Sequence, residues 1–174
     1  YALYAHSSNK LLVYHQGQSI AEIGDYDENA ILKIARLGNQ IIFSKNNKEL
    51  YTIAITKNIT QGMLVDIAML KKDGTISDIQ LFVENQIYDQ EIIDHTTIPL
   101  TISNKRNLEI NENTITKIFG GSSWNAGGNT DQYIPYHGFV SYKVLANTNV
   151  MLGLTTYNES PGRDIKYALY AKED

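Results

Sequence analysis

From Leu11 to Val83 the apolar residues recur at every second position, in short runs broken by Gly, Asn, Asp and Ser. A period of two is the spacing of a β-strand with one buried face. Helical spacing is nowhere sustained past two turns, so no major helix is expected. Strands are expected over residues 1–6, 11–15, 19–23, 30–37, 40–45, 49–55, 63–71 and 75–83. Met63, Val65, Ile67 and Met69 share one face of the most apolar run, and Leu64, Ala68 and Leu70 line the other. That strand is expected to be central and covered on both sides. Asn46-Asn47 and Lys72-Asp73-Gly74 read as tight hairpin turns, because Asn, Asp and Gly tolerate positive φ.

Residues 84–100 interrupt the rhythm with acidic residues and Pro99. They read as a connector with one short strand near Gln90–Ile93. Strands resume over 107–110, 114–119, 138–145, 149–155 and 164–171. Gly120 to Thr130 reads as the longest loop and holds the only tryptophan, Trp124. Many short strands at this spacing predict an all-β antiparallel sandwich or barrel.

The sequence Tyr-Ala-Leu-Tyr-Ala occurs twice, at Tyr1–Ala5 and Tyr167–Ala171, an offset of 166 (167 − 1). The simplest account is a tandem repeat. Residues 1–85 are then the back half of one unit, 86–101 a connector, and 102–174 the front half of the next, together forming one sandwich domain. Two copies of one strand have a single place in such a sandwich. The surplus copy is expected to pair with a neighbouring copy of the repeat.

Composition narrows the function classes. There is no cysteine, so neither a disulfide nor a thiolate site can form. The formal net charge is −4 and no basic cluster stands out, so nucleic acid is not an expected partner. No apolar run approaches the roughly 20 residues of a membrane helix, and no membrane insertion is expected. Tyr1 is not a native start, so any targeting segment is expected to lie outside this stretch.

Several series carry a family likeness. They are Gly24-Asp25-Tyr26, Ile31 to Ile34, Gly38-Asn39-Gln40, Lys45 to Thr52, Leu64-Val65-Asp66 and Gly74 to Ile79. Later in the chain come Ile115-Thr116-Lys117, Trp124 to Gly127, Gly138-Phe139-Val140, Met151 to Leu154 and Asp164 to Ala168. Together they resemble repeat modules of large bacterial surface and secreted proteins with a concanavalin A-like, lectin/glucanase-type sandwich. The order of the two halves is reversed across the connector, and Asn47 stands where such modules tend to have Gly. The resemblance implies a jelly-roll of two antiparallel sheets, permuted or strand-exchanged. It also implies a secreted or cell-surface adhesin role, with glycan or surface-polymer binding and no catalysis. The alternative is a structural spacer repeat that assembles by strand exchange into a stalk or filament.

Catalytic motifs are missing. Retaining glycosidases need two carboxyls roughly 5 Å apart, and glycosidases on the resembled fold carry Glu-x-Asp-x-x-Glu along one strand, which this chain lacks. Asp25 and Asp27 sit in turn composition. Asp66 lies alone in an apolar strand, either buried with a partner or facing a groove. Asp25-x-Asp27-x-Asn29 begins like a calcium loop, but Ala30 and Arg36 replace the required Gly and Glu. No Gly-x-Ser-x-Gly elbow or phosphate loop is present. No catalytic residue, metal site or cofactor is assigned.

Sugar recognition uses an aromatic platform beside amide or carboxylate groups. Trp124, Asn125, Tyr133, Tyr136 and His137 supply that chemistry around one loop, and Tyr157 with Asn158 supplies it at another. Trp124 has a second reading, as a plug at the end of the core.

Overall fold

In a computed structural model, residues 2–6, 10–15, 18–55, 62–84, 95–145, 149–156 and 167–171 are described. The chain is all-β, and its strands form two antiparallel sheets that share one core. Sheet A contains β1 (Ala2–His6), β2 (Lys10–His15), β3 (Gln18–Asp25), β7 (Met63–Met69), β10 (Ile102–Arg106), β13 (Ala126–Ile134), β15 (Val150–Thr155) and β16 (Tyr167–Ala171). Sheet B contains β4 (Ile31–Leu37), β5 (Gln40–Lys45), β6 (Lys48–Ala54), β8 (Thr75–Glu84), β9 (His95–Ile98), β11 (Leu108–Asn111), β12 (Thr114–Lys117) and β14 (His137–Val144).

The alternation decides which side chains meet between the sheets. Met63, Val65, Ile67 and Met69 of β7 are fully buried in the common core. Leu11 and Val13 of β2, and Leu152 and Leu154 of β15, join them from sheet A. Leu32, Ile34, Ile41, Phe43, Leu81 and Val140 close the core from sheet B. Each such side chain contributes roughly 1.5–3 kcal/mol on leaving water. Central position for β7 follows as expected, since β13 pairs on one edge and β15 on the other.

The turns have the chemistry their sequences predict. Asn46 and Asn47 adopt φ 49° and 63°, and Asp73 adopts φ 63°. The Asn46 side chain also accepts a hydrogen bond from the Ile31 N–H at 2.9 Å, tying this hairpin to the start of β4.

Two strands depart from the sequence expectation. Ala126 to Thr130 was expected as loop and is instead the first half of β13. Its glycines are there for close approach: a Cβ on Gly128 would stand 2.7 Å from Ile102 Cγ2 and 3.2 Å from Lys105 Cα in β10. β10 itself was not expected, because only Ile102 of its five residues is buried and Asn104 interrupts it at φ 51°. The short strand expected near Gln90–Ile93 lies outside the described residues. β9 does lie in the connector stretch, paired with the end of β8.

The two Tyr-Ala-Leu-Tyr-Ala segments are β1 and β16. Both belong to sheet A, and both pair with β15.

Candidate functional site

Lys117 is the root of the Trp124 loop. Its side chain is fully buried, and its Nζ donates to the carbonyls of Leu70 at 2.6 Å and Ser123 at 2.5 Å. Burial pulls its pKa below the usual lysine value. The loop is held further by Ser123 N–H to Leu70 O at 3.0 Å and Lys72 N–H to Gly121 O at 3.1 Å. Asn107 Nδ2 donates to Asn125 O at 2.8 Å. These bonds bind the loop to the β7–β8 turn, so Trp124 arrives on the outer face of sheet A. There it packs against Ala68, as Tyr14 and Met151 do, apart from the main core.

That outer face is built by parity. β7 alternates core residues with Leu64, Asp66 and Ala68, which point away from the core. Across the ladder, Gly127 stands opposite Ala68, Asn129 opposite Asp66, and Tyr133 opposite Leu64. From Asn129 to Tyr133 β13 advances four residues (133 − 129) while β7 advances two (66 − 64). The bulge therefore adds two residues, keeps parity, and returns Tyr133 to the face of Asn129. Thr130 stabilises the bulge: its Oγ1 accepts from Val65 N–H at 3.0 Å and donates to Gln132 O at 2.7 Å.

The result is a strip with an aromatic at each end. Ala68 beneath Trp124 and Leu64 beside Tyr133 are four residues apart (68 − 64), about 13 Å along an extended strand. Tyr133 is 58% exposed, and its ring rests against Gly62, where any side chain would overlap it. Between them lie Asp66 and Asn129, only 3% and 2% exposed. Burial pushes the Asp66 carboxyl up to about 7, opposed in part by a hydrogen bond from the Ile67 N–H. Its Oδ1 has no hydrogen-bond partner among the described residues. Near pH 7 the group is therefore balanced between an acceptor-only carboxylate and an acid able to donate.

Tyr136 and His137 belong elsewhere. The chain crosses from sheet A to sheet B between Ile134 and His137. Arg36, itself buried, donates from Nη1 to Ile134 O at 3.3 Å and from Nε to Gly38 O at 3.2 Å. Its guanidinium lies 5.3 Å from the Tyr136 ring centre. His137 Nδ1 meets Glu84 Oε2 at 2.7 Å on the outer face of sheet B. Beside that pair Phe82 and Phe139 stack with ring centres 4.4 Å apart, walling an apolar cleft of about 200 Å³.

The residues expected to form one site thus divide between opposite faces of the two-sheet body. Trp124 and Tyr133 lie on sheet A. Asn125 adjoins Trp124, but its amide turns back under Gly120, within the loop. His137 lies on sheet B and Tyr136 on the turn that leads there. Tyr157 and Asn158 lie outside the described residues. Sequence reasoning missed Tyr14, Met151 and Asn129 on the sheet A face, and Phe82 with Phe139 on the other. The parity of β13 is the signal that would have found Asn129, had Gly127-Gly128 been read as strand. Among the described residues no three His, Asp or Glu side chains gather as a metal site. No described helix is long and apolar enough to cross a membrane. The chain matches no known protein family, no curated protein and no solved structure.

Proposed function

We propose that the protein is a non-enzymatic adhesin module that binds a glycan or surface polymer along the outer face of sheet A. The observation that carries this reading is the strip itself. Trp124 and Tyr133 stand at the two ends of a strip on one outer sheet face, above Asp66, Ala68, Gly127 and Asn129, which are buried beneath it. Aromatic rings offer flat apolar surfaces to the C–H faces of a sugar. The strip runs along strands and its loop is braced by a buried lysine, so the aromatics are held in place before a ligand arrives.

The concanavalin A-like jelly-roll is part of the same proposal. It is supported by the repeated crossing of the chain between sheets from β6 to β15 and by the sequence resemblance. The secreted or cell-surface location and bacterial origin rest on that resemblance.

The test is a glycan array that includes cell-wall polysaccharides, read alongside Trp124 fluorescence. Wild-type protein is expected to bind a defined glycan and to shift the emission of its single tryptophan. Trp124→Ala, with its fold checked by circular dichroism, is expected to lose at least tenfold in affinity. Tyr133→Ala weakens binding, and His137→Ala on the opposite sheet leaves it unchanged. Absence of binding to any glycan, or equal binding by Trp124→Ala, overturns the assignment. Release of new chain ends from a bound polysaccharide would overturn its non-enzymatic part.

A further inference from the structure

β15 has two edges. β7 holds one, and the sheet order places β1 and then β2 beyond the other. β16 pairs with β15 over its own full length, from Val150↔Ala171 to Leu154↔Tyr167, and lies in contact with both β1 and β2. β1 pairs with β2 over its own full length, from Ala2↔Tyr14 to His6↔Lys10. The two segments have the same sequence, and their second residues, Ala2 and Ala168, both take Gly153 as register partner. Two identical strands therefore address one slot, between β15 and β2, in the same register.

One slot has hydrogen-bonding groups for one strand. In a central position every N–H and C=O of that strand faces one neighbour or the other. Whichever segment fills the slot, the other is left with unpaired backbone groups, the feature that makes a strand pair with another chain. We propose that the β15–β2 slot is a strand-acceptor site, and that its occupant can be the Tyr-Ala-Leu-Tyr-Ala segment of a second copy of this chain. Exchange between intact copies conserves the number of pairings. It competes with an intramolecular strand whose effective concentration is on the order of millimolar. Exchanged oligomers are accordingly expected from concentrated or refolded protein, and an emptied slot is expected to capture a donor readily. This inference does not draw on the glycan reading.

Proline removes the N–H that a central strand must donate. Leu3→Pro disables β1 and Leu169→Pro disables β16, while each leaves the other copy to fill the slot. Each single variant is expected to unfold at a midpoint close to that of the wild type. The double variant has no competent strand of its own. It is expected to form a 1:1 complex with wild-type protein, seen by native mass spectrometry, and to bind a synthetic peptide spanning residues 167–172. Should the double variant be unfolded alone, recovery of its β-sheet circular dichroism on adding that peptide gives the same answer. The inference is overturned if the double variant takes up neither wild-type protein nor peptide. It is also overturned if one single substitution unfolds the protein and the other has no effect, since the copies would then not be interchangeable.

Discussion

Asp66 illustrates how much one buried group can change. In the folded protein it holds its proton up to about pH 7, whereas an unfolded chain releases it near pH 4. Between those values the folded state binds more protons, so this group's contribution to stability falls as the pH rises through that window. A difference of about three units corresponds to roughly 4 kcal/mol when fully developed. The urea midpoint of the wild type, measured from about pH 4 to 8, is expected to fall relative to that of Asp66→Asn, whose own amide does not titrate. Parallel profiles would mean that Asp66 is ionised and paired throughout. Tyr142 makes the opposite case. Its ring is fully buried between the sheets, and its hydroxyl has no hydrogen-bond partner among the described residues. Burial raises its pKa well above the ordinary tyrosine value, so it stays neutral. Removing a buried hydroxyl that makes no bond removes only a desolvation cost. Tyr142→Phe is expected to leave stability unchanged or raise it by about 1 kcal/mol in denaturant unfolding, and a loss of that size would reveal a partner for the hydroxyl.

The elements differ in how plainly the sequence announced them. β4, β5, β7 and β8 were legible because burial on one side imposes strict alternation and Asn-Asn or Asp-Gly marks the turns. β13 was not. Gly127, Gly128 and Asn129 are poor strand formers in isolation, and only the neighbours make them suitable. β10 crosses so close to Gly128 that a methyl group would press on backbone as well as on Ile102. Gly128→Ala is accordingly expected to destabilise the protein by about 1–3 kcal/mol in thermal or urea unfolding. An unchanged midpoint would mean that β10 moves away at no cost. The Trp124 loop shows the same limit. Its place is decided by Lys117, a residue 7 positions earlier (124 − 117). It became a buried brace because the carbonyls of Leu70 and Ser123 converge on it.

At the scale of the whole molecule, the sequence by itself determined an all-β chain, the identity of most strands, their turns, and the presence of one strand sequence in duplicate. Those properties follow from local chemistry: period-two burial, residues that tolerate positive φ, and literal identity. Only the tertiary structure decided which side chains stand together. Strand parity and the crossing from β13 to β14 sent Trp124 and Tyr133 to one face and His137 to the other, although they lie within fourteen residues of one another (137 − 124 + 1). A face of a sheet is assembled from strands distant in sequence, so Asp66 meets Asn129 through pairing that no local pattern encodes. The duplicate strand shows both limits at once. Its repetition is written in the sequence, whereas its meaning, two segments sharing Gly153 as partner, exists only once β15 has taken its place in the sheet.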